Sequence, residues 1–161
     1  MHTRAATATS TAAPFPSRNY TIAPADAWSQ MVEVQGFASP VWQDAAGNSL
    51  GTAFVAASQA SKTITIGLPE AAFGTPTPGW SFAVVLTGQD GFSPYQARGF
   101  DPTPAEFAFG VCASGNLNPI CQVDPGTVAK AIDVITPSGV SQATELNPTL
   151  GPVVIRGVPI P

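Results

Sequence analysis

Short apolar runs, each closed by Gly, Pro, Asn or Asp, set the character of the chain. From Lys62 to Leu68 the apolar residues Ile64, Ile66 and Leu68 alternate with Thr63, Thr65 and Gly67, the two-residue period of a half-buried strand. That run and Ala53 to Ser58 predict a strand pair. Met31 to Phe37 reads as another strand, with Val32 and Val34 inward and Glu33 and Gln35 outward; a short strand from Pro40 to Gln43 then meets the turn sequence DAAGN. Trp80 to Leu86 is apolar on both faces, the pattern of a strand in the middle of a sheet. Further strands are expected at Glu106 to Gly110, Ala129 to Ile135 and Val153 to Val158. One helical turn is expected in PEAAFG, where Pro69 suits a first helical position and Gly74 a stop. A second is expected within Val140 to Leu146, preceded by Ser138 or Gly139 and ended by Asn147-Pro148. Roughly seven or eight short strands predict an all-β fold, a two-layer antiparallel, immunoglobulin-like β-sandwich with one or two short helical turns.

Residues 1–18 are mostly Ala, Thr, Ser and Pro without periodicity, a composition that buries too little surface to fold by itself. They are expected to form a linker or disordered lead, with the sandwich module spanning 19–161.

Composition narrows the function classes. Of the 161 residues, 44% are apolar, enough for a core, while only 10% are charged, against roughly 25% in an average soluble domain. Long solvated helices are therefore not expected. A net charge of -4, with six Lys and Arg scattered from Arg4 to Arg156, leaves no basic stripe for phosphates and argues against nucleic acid as a partner. No apolar run approaches the ~20 residues of a membrane span. The opening MHTRAATATSTAAP lacks the apolar core of a secretory signal, so Met1 is expected to begin a processed chain or a fragment. Cys112 and Cys121 flank ASGNLNPI, whose turn formers can bring the sulfurs together. A disulfide is expected, and with it an oxidising compartment. The sequon Asn19-Tyr20-Thr21 fits a secreted protein glycosylated at Asn19.

The runs WSFAVVLTGQDGF, FAFG, IDVITPSGVSQATEL and GPVVIRGVPIP, in that order, resemble the C-terminal binding module of glucodextranases and amylopullulanases. The earlier segments ADAWSQMVEVQGF and KTITIGLPEAAFG follow the same strand order, so the resemblance covers roughly residues 20–161. It implies a DOMON-like β-sandwich appended to secreted glucan-degrading enzymes. It also implies first strands supplied by a longer Asp- and Gly-rich portion, where this chain has its Ala/Thr-rich lead. A sandwich without those strands exposes an edge, which either self-associates or is partly covered by the segment 1–30.

A sugar-binding face needs rings for the apolar side of a pyranose and nearby polar groups for its hydroxyls. Trp42 beside Asp44 at a strand end, and Tyr95 with Phe92 and Arg98 in one loop, are the candidate carbohydrate-binding residues; for Trp42 and Tyr95 a packing role is an equal alternative. Trp28, Trp80, Phe54, Phe82, Phe107 and Phe109 read as packing. No catalytic residue is expected, since Asp90, Asp101, Asp124 and Asp133 suit turns or strand edges and no acid pair is recognisable. No cofactor is expected: haem would need axial ligands that His2 and Met31 are poorly placed to supply, and calcium could at most be shared by Asp90 and Asp101. The leading function is therefore a non-catalytic carbohydrate-binding or cell-surface attachment module of a secreted glucan-degrading system. Its partner would be an α-glucan or cell-envelope polysaccharide. The alternative is a structural subunit that assembles through an unpaired sheet edge.

Overall fold

The computed structural model describes residues 2–3, 8–15, 17–36, 38–89, 97–101, 108–110, 117 and 119–161. Its body is a sheet in the order β10-β7-β1-β3-β4. These strands are β1 (His2–Thr3), β3 (Gln30–Glu33), β4 (Val41–Asp44), β7 (Ser81–Leu86) and β10 (Asp133–Ile135). A sixth strand, β12 (Val158–Pro159), pairs with the start of β7. Three two-stranded units surround it: β2 (Tyr20–Ile22) with β11 (Val153–Ile155), β5 (Phe54–Ser58) with β6 (Thr63–Gly67), and β8 (Gly99–Asp101) with β9 (Ala108–Gly110). Among the described residues the connections hold two short α-helices, α1 (Glu70–Phe73) and α2 (Gln142–Glu145), and four single 3-10 turns.

The fold is all-β, as the alternation predicts, but its layers differ from the expected arrangement. The pairs β2–β11 and β8–β9 are parallel, so the body is not an all-antiparallel sandwich. The main sheet also carries apolar residues on both faces. Met31, Ala83 and Val134 join Tyr20, Ile22, Trp28, Val153 and Ile155 in one core, against β2–β11. Val32 and Trp42 join Ala53 in a second, with Ile66, Leu68 and Phe73 of the β5–β6 and α1 region packed against it. Successive strand residues point to opposite faces, so Met31 and Val32 serve different cores.

Local chemistry explains where the strands stop. After β4 the Asp44 carboxylate accepts from the backbone N–H of Ala46 and Asn48, at 2.9 Å each, and Gly47 takes φ +87°, a conformation cheap only for glycine. Leu50 then donates back to the Trp42 carbonyl at 3.0 Å, which covers the outer edge of β4. Helix α1 begins after Pro69 and ends at Gly74, also at φ +87°. Helix α2 is capped by Ser141, whose hydroxyl accepts from Thr144 N–H. The cap thus lies beyond the Ser138 and Gly139 expected from sequence.

Several expectations need correction. The described residues of 1–18 are part of the fold: β1 lies between β3 and β7, Thr11 and Ser10 carbonyls accept from Ile22 and Trp28 N–H at 2.8 Å, and Phe15 packs on the first core. Backbone hydrogen bonding needs no hydrophobic period, which is why an Ala/Thr/Ser stretch can be ordered by its neighbours. The expected strand at Val153 to Val158 is two strands with different partners, and only Asp133–Ile135 of the expected strand from Ala129 is a strand. On the β5–β6 hairpin, Phe54 and Ile64 are each 65% exposed: Phe54 points to the face opposite its neighbour Ala53, and Ile64 lies one pair beyond Ile66, past the reach of the second core.

Candidate functional site

The residues expected to contact sugar do not form one surface among the described residues. Trp42 is 1% exposed and its indole N–H donates to Gln30 Oε1 at 3.1 Å; its faces belong to the second core, so it is a packing residue and not a stacking platform. Asp44 holds the β4 turn, adding a bond from Asn48 Nδ2 at 2.9 Å, and these donors hold its carboxyl below the ordinary range. Arg98 stacks its guanidinium 5.3 Å from the Phe109 ring centre. Tyr95 and Phe92 lie outside the described residues, as do Asp90, Phe107 and Cys112. Trp28 is buried, with its indole N–H on the Ala12 carbonyl at 2.8 Å, and Trp80 meets Phe73 edge-on at 5.6 Å.

Asn19 has φ +57°, and its Nδ2 donates to the carbonyls of Gly126 (2.7 Å) and Val128 (3.1 Å). The nitrogen that a glycan would take thus clamps the 126–128 loop. Cys121 is buried and carries no free thiol. Among the described residues no three His, Cys, Asp or Glu come together as a metal-binding group, and no helix is long and apolar enough to cross a membrane.

A polar cleft of about 390 Å³ is built instead by the segment from Gly139 to Arg156. One wall is helix α2, presenting Ser141, Thr144 and Glu145; the other is β11 and the turn before it, presenting Val154, Arg156 and Leu150. Glu145 ties the walls together, since its Oε1 accepts from Arg156 N–H, while its Oε2 is buried with no partner among the described residues. Asn147 at the base uses its Oδ1 to hold Thr149, through the backbone N–H at 3.0 Å and the hydroxyl at 2.8 Å. Leu150, 69% exposed, and Val154, 41% exposed, add apolar surface at the rim. Hydroxyl, carboxylate and guanidinium groups beside exposed aliphatic carbon can hold a ligand rich in hydroxyls and C–H surface.

The signal for this cleft was present in SGVSQATELNPTLGPVVIR, whose hydroxyl and amide residues also serve as helix and turn caps. Capping is the ordinary role of such residues, so their pattern along the chain does not by itself mark a cleft. No curated protein matches the chain. The model of the C-terminal binding module of glucodextranase, described as SLH-like, matches residues 1–151, and so takes in the lead as well as most of the segment from residue 20 onward. The chain belongs to this family of C-terminal, SLH-like binding modules of glucodextranase.

Proposed function

We propose that the chain is a non-catalytic module that holds a secreted glucan-degrading system to a polysaccharide, an α-glucan or a glycan of the cell envelope, and that the α2–β11 cleft is where the saccharide is held. The observation that carries this reading is membership of a binding-module family, matched over residues 1–151. The buried, unpartnered Oε2 of Glu145 in a cleft with Ser141, Thr144 and Arg156 supports it, because a buried oxygen without a donor is stabilised when a ligand hydroxyl supplies one. Leu150 and Val154 would cover the C–H face of a sugar in place of an aromatic ring. An oxidising, extracellular location accords with Cys121 lacking a free thiol, and Cys112 is its proposed disulfide partner.

Affinity electrophoresis in gels containing starch, pullulan or dextran tests the reading. Retardation by at least one glucan, abolished by Arg156→Ala and by Glu145→Gln, is expected. Unaltered mobility in all three glucans and in purified envelope polysaccharide would remove it.

A second reading, assembly through a sheet edge, draws on β10. This strand ends the main sheet, and Ile132, Ile135 and Leu86 beside it are 45%, 55% and 55% exposed. Concentration-dependent polymers without sugar retardation would favour it.

A further inference from the structure

The α2–β11 cleft continues past its own rim. Gly151 and Pro152, which line it, also line a second groove of about 480 Å³. The glycine keeps the divide between the two low: Gly151 has φ +121°, and a Cβ built on it would meet no atom within 4 Å. The strands below carry the same continuity, since Val154 of β11 is in register with Thr21 of β2 and both side chains are exposed. Val154 borders the first cleft and Thr21 the second, one strand spacing of about 4.8 Å away.

The second groove repeats the chemistry of the first without its charges. Asn19 and Thr127 line it across from the turn. Asn19 spends its Nδ2 on the 126–128 loop, which leaves its Oδ1 to accept. Thr127 gives its hydroxyl proton to the Asp124 carbonyl at 2.8 Å, so its oxygen also serves as an acceptor, and Thr21 adds an exposed hydroxyl. The rings of Pro148 and Pro152 supply aliphatic surface. Oxygen acceptors beside aliphatic rings suit a sugar, whose hydroxyls donate and whose C–H face is covered by apolar carbon. No Lys, Arg, Asp or Glu lines this groove among the described residues, which fits an uncharged occupant.

We infer that one α-glucan chain crosses the Gly151–Pro152 turn and occupies both grooves, so that the module binds a stretch of chain and not an isolated disaccharide. The inference rests on the saccharide reading of the α2–β11 cleft and adds to it a second subsite, in which Asn19, Thr21 and Thr127 meet the sugar hydroxyls. A chain seated in both grooves gains from each without losing its translational freedom twice, so affinity rises with chain length until both are filled.

Calorimetric titration of the full chain with maltose, maltohexaose, isomaltose and isomaltohexaose tests it. In at least one of the two series the hexasaccharide should bind about tenfold or more tighter than the disaccharide. Thr21→Arg and Thr127→Arg each place a long side chain in the second groove from an exposed position. Either variant, once a thermal melt shows it folded, should bring the hexasaccharide close to the disaccharide value. Equal affinity for the short and long members of both series overturns the inference and leaves the first cleft as the whole site, with the proposed function intact. Hexasaccharide affinity unchanged in both folded variants overturns it as well. Failure of all four sugars to bind overturns it too, and the proposed function then rests on retardation in the polysaccharide gels.

Discussion

The guanidinium of Arg18 lies 2.9 Å from the Glu33 carboxylate, with both side chains largely withdrawn from water, 5% and 17% exposed. Arg18 also reaches Thr87 and lies over the Phe15 ring at 5.4 Å. One side chain therefore joins the lead segment, β3 and the end of β7. A buried pair of this kind contributes little net stability compared with apolar replacements, but breaking it leaves a charge stranded.

Arg18→Met should therefore destabilise the fold by about 3 kcal/mol in urea unfolding, and the double variant Arg18→Met/Glu33→Leu should recover most of the loss. Burial pushes the Glu33 carboxyl up from 4.5, more than Arg18 draws it back. The folded state thus holds this proton to higher pH than the unfolded state. Its contribution to folding is greatest at low pH and declines as pH rises through the ordinary carboxylate range. If the double variant loses the sum of what Arg18→Met and Glu33→Leu lose separately, the pair has no coupling.

Burial also raises the Tyr20 phenol to about 12 from 10.0. The unfolded chain then releases this proton first as pH rises, so the stabilising contribution present below pH 10 is lost between pH 10 and 12. The expected loss is about 2–3 kcal/mol. The measurement is unfolding free energy against pH for the protein and for Tyr20→Phe, in which this part of the alkaline decline should vanish. Identical curves would mean that Tyr20 titrates alike in both states.

Trp42 distinguishes packing from sugar contact. Trp42→Ala should cost about 3–5 kcal/mol, since it empties the centre of the second core, whereas Trp42→Phe should fold and retain glucan retardation unchanged. Loss of retardation in a folded Trp42→Phe protein would return this residue to the binding site.

Gly157 marks the place where the chain leaves β11 for β12. A Cβ there would lie 2.7 Å from Ser81 Oγ, 2.8 Å from Ser81 Cβ and 3.0 Å from Asp26 Oδ1. Gly157→Ala should therefore destabilise by about 1–3 kcal/mol, while Gly36→Ala, with open space around its Cβ, should stay within about 0.5 kcal/mol. Thermal melts of the two variants check the contrast.

Much of the strand content was legible in the sequence because side-chain alternation is a local property. Thr63 to Gly67, the strand before Leu86 and the single helical turn between Pro69 and Gly74 follow from β-branched periodicity and from Pro and Gly stereochemistry alone. The candidate site was not legible in the same way. Trp42 beside Asp44 reads alike whether its ring faces water or a second core, and Glu145 becomes a cleft residue only when Arg156 approaches from a later strand.

By itself, then, the sequence determined an all-β chain of short strands poor in charge, and the resemblance over roughly residues 20–161 placed it among the glucodextranase binding modules. Only the tertiary structure decided that the lead supplies β1, that Val153 to Val158 divides between two sheets, and that Glu145 and Arg156 meet in one cleft. Those features rest on backbone pairing between segments far apart in the chain, and such pairing carries no local side-chain period by which it could be read in advance.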